Sequence, residues 1–212
     1  MKNIKVKICG LTRKDDLLFS ASAGAEAVGI VNVPSSKRFV SLENAGKLYN
    51  LVPPFISKVL VATPENIEHA KRMEETGIDY IQLHGRQEIS FIKELNAKLS
   101  VGLIKQIAVT GIETIELCKE YSDYVDAIIL DTETRSGLGG TGKTHDWNIS
   151  ERIVKEVKKP VIIAGGLNPD NVIEAIKKVN PYAVDVASGV ETMPGVKDHR
   201  RITEFIRKAK SL

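Results

Sequence analysis

A cysteine and an aspartate, far apart in the chain, each follow a short apolar run: Cys9 comes after Ile4–Ile8 and Asp131 after Ala127–Leu130. A free thiol titrates near ~8.5 and a carboxyl near ~4, so the two form an acid–base pair only if their surroundings move them. The cysteine needs activation and the aspartic acid needs burial. Taken singly, Cys9 is the kind of side chain that packs a core, and Asp131 one that caps a turn. Gly165-Gly166 follows Val161–Ala164, and Ser188-Gly189 follows Ala183–Val186. Glycines at such points serve tight turns, and they also let backbone N–H groups approach a phosphate. Arg38, after Ser35-Ser36-Lys37, offers a planar fork for a carboxylate, against the plainer reading of a solvated basic loop. His84 follows Tyr80–Leu83 and reads equally well as a polar lining residue, a base or a turn histidine.

Gly137-Leu138-Gly139-Gly140-Thr141-Gly142-Lys143-Thr144 matches the phosphate loop of nucleotide hydrolases letter for letter. That loop needs a strand running straight into it and a helix beginning at the lysine. Here the apolar run stops near Asp131, and His145-Asp146-Trp147-Asn148 is a poor first helical turn. A long glycine-rich loop from Thr132 to Trp147, over the mouth of a larger scaffold, is the better expectation.

Eight apolar runs position these residues: Ile4–Ile8, Ala27–Val31, Lys58–Ala62, Tyr80–Leu83, Gly102–Ile107, Ala127–Leu130, Val161–Ala164 and Ala183–Val186. Most are too continuously apolar to face water on one side, so they read as parallel strands covered on both faces. Helical patterns fill the gaps, over 13–23, from Ser41 as N-cap to Pro53-Pro54, from Thr63-Pro64-Glu65, and over 87–99, 112–120, 149–158, 169–179 and 199–210. Asn168-Pro169-Asp170 reads as a helix start, and Cys118 as packing within its helix. Eight strand–helix units in 212 residues predict an α/β fold, a single (β/α)8 TIM barrel with its active site at the C-terminal ends of the strands. A doubly wound open sheet is the rival; the count of eight, and the lack of Gly-x-Gly-x-x-Gly after the first strand, favour closure. With no low-complexity linker or composition shift, residues 1–212 read as one catalytic domain.

Composition narrows the partners. Thirty basic against 27 acidic residues give a net charge of +3, scattered without a basic block, which argues against nucleic acid. No apolar run is long enough to span a bilayer, and the N-terminal residues alternate charged with apolar types, unlike a signal peptide. Two cysteines make no disulfide framework and suit a reducing cytoplasmic setting. Aromatics are only 5%, so the core must be mostly aliphatic.

Several stretches together resemble phosphoribosylanthranilate isomerase of tryptophan biosynthesis. They are Val6-Lys7-Ile8-Cys9-Gly10-Leu11-Thr12, Ser36-Lys37-Arg38, Gln82-Leu83-His84-Gly85, Leu130-Asp131-Thr132, Gly139 to Thr144, Asp146-Trp147, Ala164-Gly165-Gly166-Leu167-Asn168-Pro169, Asp185-Val186-Ala187-Ser188-Gly189-Val190-Glu191 and Pro194 to Asp198. The resemblance spans nearly the whole chain. It implies an Amadori rearrangement with Asp131 as general acid and Cys9 as general base. Arg38 would hold the anthranilate carboxylate, and the Gly165-Gly166 and Ser188-Gly189 loops the phosphate; His84 and Asp185 join the substrate-binding set. It implies a phosphosugar substrate and neither metal nor cofactor, because the imine itself takes up the electrons. A homodimer stays open. The chain departs from the family pattern at His145, where phenylalanine is frequent, at Leu60-Val61-Ala62-Thr63, and at Ala187 before Ser188-Gly189.

Three rivals carry their own discriminators. The barrel isomerase of histidine biosynthesis uses aspartate at the end of its first strand, where this chain has Cys9, and shows two similar halves, which this chain lacks. A nucleotide switch would bind nucleotide in dialysis. A barrel that merely binds sugar phosphate would not turn substrate over.

Overall fold

The computed structural model describes residues 4–132 and 144–212. Eight parallel strands close into a barrel: β1 (Lys5–Ile8), β2 (Ala27–Asn32), β3 (Ser57–Ala62), β4 (Tyr80–Leu83), β5 (Gly102–Val109), β6 (Ala127–Thr132), β7 (Val161–Ile163) and β8 (Ala183–Val186). Each pairs with the next, and β8 returns to β1 through Lys5↔Ala183 to Ile8↔Val186. Closure removes the open-sheet alternative and leaves the eight barrel strands without an open edge. Eight helices among the described residues alternate with the strands: α1 (Lys14–Ser22), α2 (Leu42–Tyr49), α3 (Ile67–Glu74), α4 (Ile89–Lys98), α5 (Thr114–Ser122), α6 (Trp147–Glu156), α7 (Val172–Val179) and α8 (His199–Ala209).

The strands are buried on both faces, for two different reasons. Outward-facing Val28, Ile30, Leu60, Ile81, Leu83, Leu103, Ile128 and Leu130 join one large core with the helices. Inward-facing Val59, Ile104, Ala127, Ile129, Ile162, Ala164 and Ala183 form a second, smaller cluster inside the barrel. Filling the interior with mostly small or β-branched side chains makes it a packed core rather than a pore. The low aromatic content suits that interior.

The two helix starts that the sequence marks with a proline both lie later than it suggests. Thr63-Pro64-Glu65 stays a loop, and Asn66 caps α3 by accepting a hydrogen bond from His69 N at 2.8 Å. Asn168-Pro169-Asp170 forms a turn of its own, with Asn168 Oδ1 accepting from Asp170 N, so α7 waits until Val172. α2 ends at Tyr49, short of Pro53-Pro54. Ser41 caps α2 as expected, accepting from Asn44 N. After β8 the chain makes a 3-10 turn (Ser188–Val190) and a small antiparallel hairpin, β9 (Glu191–Met193) with β10 (Val196–Lys197). That hairpin leans over the C-terminal end of the barrel and proves central to the site.

Candidate active site

A cavity of about 490 Å³ opens at the C-terminal ends of the strands. Cys9, Arg38, His84, Asp131, Gly165, Gly166, Asp185 and Ser188 all line it. Eight of the nine residues expected at the site therefore meet in one place. The ninth, Gly189, does not line the cavity. A Cβ on it would overlap the Leu167 carbonyl, so its missing side chain lets the Ser188-Gly189 loop press against the Gly165-Gly166-Leu167 loop. Gly165 and Gly166 have φ of 77° and 69°, the left-handed conformation that favours glycine.

Cys9 leaves the end of β1 and is 6% exposed. Burial pushes its thiol pKa up. The positive charge of Lys7, and a side-chain hydrogen bond to it, oppose that rise, while the Asp185 carboxylate adds to it. Asp131 stands near the end of β6. Burial lifts its carboxyl to about 6, against the restraint of a hydrogen bond from its neighbour's backbone, in which Thr132 N donates to Oδ1 at 2.7 Å. An aspartic acid near 6 is far better placed to donate a proton at neutral pH than one near 4.

Gln106 of β5 donates from Nε2 to Asp131 Oδ2 at 2.9 Å. Its Oε1 accepts from Gln82 Nε2 at 3.3 Å and lies 2.7 Å from His84 Nδ1. An amide oxygen only accepts, so the proton of neutral His84 belongs on Nδ1. Gln82 Oε1 in turn accepts from Lys7 Nζ at 3.0 Å, and Lys7 pairs with Asp185 Oδ1 at 2.9 Å. A polar layer thus runs from β8 through β1, β4 and β5 to β6, above the aliphatic interior. Behind it, on the outer face of β5, Lys105 donates to Gly85 O and Gln87 Oε1, and so fastens the loop that carries His84. Burial brings the Lys105 pKa down to about 8.

Arg38 reaches the mouth from the loop after β2. Gly10 makes room for it: a Cβ there would lie 2.5 Å from Arg38 Cδ. Its guanidinium grips Glu191 of β9 with both ends of the fork, Nε to Oε1 at 2.8 Å and Nη2 to Oε2 at 2.6 Å. Lys197 of β10, fully buried at its side chain, donates to Glu191 Oε1 at 2.8 Å and to Ala187 O at 3.0 Å. The Glu191 carboxylate is held below its ordinary range: burial would raise it, but Arg38 and Lys197 outweigh burial. Two cations against one carboxylate leave this side of the mouth with one positive charge in excess.

Sequence reasoning gave no role to Lys7, Gln82, Gln106, Glu191 or Lys197. Lys7 and Gln82 each stand two residues before a recognised site residue, Cys9 and His84. Period-two geometry puts such pairs on one strand face, so a polar residue breaking an apolar run there was the available signal. Glu191 and Lys197 carried no comparable local signal. Cys118 is fully buried in α5, and burial raises its thiol to about 12, as suits a packing residue. His145 is buried and neutral, its pKa brought down to about 4 by burial, with Nε2 2.6 Å from Ser150 Oγ at the start of α6. The glycine-rich stretch from Gly137 to Lys143 lies outside the described residues; α6, the next described helix, opens at Trp147. Among the described residues, no group of three or more His, Cys, Asp or Glu side chains is arranged to hold a metal ion, and no helix is long and apolar enough to cross a membrane.

The family model of N-(5'-phosphoribosyl)anthranilate isomerase matches residues 6–208. The chain belongs to this family. A relative from Methanopyrus kandleri, named N-(5'-phosphoribosyl)anthranilate isomerase, is 45% identical over 220 residues, covering 99% of this chain and 100% of its own. A solved structure described as monomers of a dimeric phosphoribosylanthranilate isomerase from Thermotoga maritima superimposes with a TM-score of 0.87 at 35% identity, covering 99% and 100% of the two chains. Another solved isomerase of this family, in complex with reduced 1-(o-carboxyphenylamino)-1-deoxyribulose 5-phosphate, superimposes with a TM-score of 0.86 at 36% identity over the same shares.

Proposed function

We propose that opposite walls of the mouth divide one Amadori rearrangement between them, Asp131 as the acid and Cys9 as the base. The reaction is that of the family: N-(5'-phosphoribosyl)anthranilate becomes 1-(2-carboxyphenylamino)-1-deoxyribulose 5-phosphate, on the way to tryptophan. Asp131 gives its proton to the furanose ring oxygen as the C1–O bond breaks, leaving a protonated imine at C1. Cys9, as thiolate, takes the proton from C2. The electron pair of that C–H bond moves into the C1–C2 bond, and the imine π pair settles on nitrogen. The resulting enolamine tautomerises to the ketone. Arg38 receives the anthranilate carboxylate, drawing on the excess positive charge it shares with Lys197. The Gly165-Gly166 and Ser188 loops receive the phosphate, and His84 and Asp185 line the space between.

The observation that carries this assignment is Asp131 at about 6, held by Gln106, on the same cavity as a buried thiol beside a buried ammonium. A fluorescence turnover assay with phosphoribosylanthranilate tests it. Cys9→Ala should lower kcat by about 10²–10⁴-fold, the usual loss on removing a positioned base, with product affinity kept. Near-normal kcat in that variant refutes the assignment.

The whole chain is proposed to act as one catalytic domain, in a reducing cytoplasmic setting suited to its two free cysteines. A second copy is the proposed partner at the opposite end of the barrel. There Phe55, at φ 70° in the loop between α2 and β3, is fully exposed, and exposed aromatics of this kind are favoured contact points. A monomeric mass in sedimentation would remove that partner.

A further inference from the structure

Burial favours the neutral thiol, whereas taking a proton from carbon requires the thiolate. Something close by must supply positive charge within reach of the sulfur.

The charged and titratable groups facing Cys9 come from five elements. Lys197 of β10 is tied to Glu191 and Ala187 O, and Arg38 is locked to the same Glu191. Tyr49 of α2 donates its hydroxyl to Val59 O. Asp185 of β8 opposes a thiolate. Lys7 of β1 remains. It stands two residues before Cys9, so both side chains project from the same strand face. Gly29 of β2 clears the space they share: a Cβ there would lie 2.9 Å from Cys9 Sγ and 3.1 Å from Lys7 Cε. The Lys7 ammonium has three N–H groups. One goes to Asp185 Oδ1 at 2.9 Å and one to Gln82 Oε1 at 3.0 Å. The third is left for the sulfur.

We propose that Lys7 is the positioning residue that makes Cys9 a base: Asp185 and Gln82 fix its ammonium beside the sulfur, and that charge holds the thiolate until it takes the substrate proton. Lys7 keeps its own proton throughout. Its pKa fits this role: burial pulls it down, but the charges of Asp185 and Cys9 and hydrogen bonds to both raise it above its ordinary value. The proposal rests on the reading of Cys9 as the base, yet its test does not depend on turnover.

The test is the pH dependence of Cys9 alkylation by iodoacetamide in the full-length protein, read at the Cys9 peptide by mass spectrometry. Lys7→Gln removes the charge but keeps a donor toward Asp185 and Gln82. It should move the midpoint of alkylation up by about one to three pH units, the usual effect of one close charge. Asp185→Asn should move the midpoint down. Adding Lys7→Met to Asp185→Asn leaves no unpaired buried ion and should raise the midpoint again, so this comparison decides should Lys7→Gln fail to fold. An unmoved midpoint on neutralising Lys7 in either background overturns the proposal, because a merely structural lysine would alter stability alone. The acid limb of kcat/KM should move with the alkylation midpoint. If the midpoint moves and that limb does not, the hold of Lys7 on the thiol stands and the assignment of Cys9 as base falls.

Discussion

Replacing Asp131 by asparagine should abolish turnover and yet stabilise the fold at neutral pH. Burial raises the folded-state pKa of Asp131 from an ordinary 3.8 to about 6. The folded chain therefore binds this proton more tightly than the unfolded chain does. Across the window from about pH 4 to about pH 6 the folded state holds more protons, so stability falls as pH rises, and the loss is complete above about pH 7. The interval between the two values corresponds to about 3 kcal/mol. Asparagine escapes that loss but meets Gln106 badly, since its amide NH2 at the Oδ2 position would face the Gln106 NH2 now bonded there. Gln106 can turn its oxygen toward the new amide only if His84 moves its proton from Nδ1 to Nε2 and the hydrogen bond from Gln82 Nε2 is given up. One strained or lost hydrogen bond costs about 1 kcal/mol, which leaves a net gain of about 1–2 kcal/mol at pH 7.5. Urea denaturation of both proteins between pH 4.5 and 8 measures it. The stability difference, Asp131→Asn minus wild type, should climb with pH to about 7 and then level off. A difference that is flat or declining over that range would refute the account of Asp131 as a strained, desolvated acid.

Two further outcomes follow from the remaining walls of the cavity. Arg38→Ala should raise KM by the equivalent of about 1.5–3 kcal/mol, the scale of a charged hydrogen bond, and Glu191→Gln should raise it less, because the fork stays but loses the carboxylate that aims it; steady-state kinetics with both variants would expose an unchanged KM. Gly189→Ala drives a Cβ into the Leu167 carbonyl, and should lower stability by about 1–3 kcal/mol and weaken inorganic phosphate binding, both measurable by thermal melts with and without phosphate.

The barrel was legible because its signal is local. A parallel strand covered on both faces must be a short, nearly unbroken apolar run, and each of the eight runs became a strand to within two residues at either end. Helix starts were less legible because a cap is a matter of side-chain geometry. Asn66 wins over Thr63-Pro64 by reaching His69 N, which no residue count reveals. Cys9, Asp131 and the glycines could be found because the end of a barrel strand is a place defined by the run before it. What escaped was pairing at a distance. Lys7 meets Asp185 across 178 positions and Arg38 meets Glu191 across 153. Periodicity carries no information at that range, and only closing the barrel brings β8 beside β1.

Closure also accounts for how one desolvated mouth can serve both an acid and a base. Burial raises the pKa of Cys9 and of Asp131 alike. For a carboxyl that must donate a proton this is useful, and for a thiol that must accept one it is harmful. The two can hold opposite roles only if their neighbours differ, and they do. Asp131 takes its hydrogen bonds from the neutral amide of Gln106 and from the backbone of Thr132, which leave it able to hold a proton. Cys9 sits beside an ammonium on its own strand. The Asp185 carboxylate that anchors this ammonium also raises the pKa of Asp131. A single buried ion pair, Lys7 with Asp185, thus biases the thiol and the carboxyl in the directions their proposed roles require. That arrangement needs β8, β1 and β6 to face one cavity, which an open sheet with β1 and β8 apart would not provide.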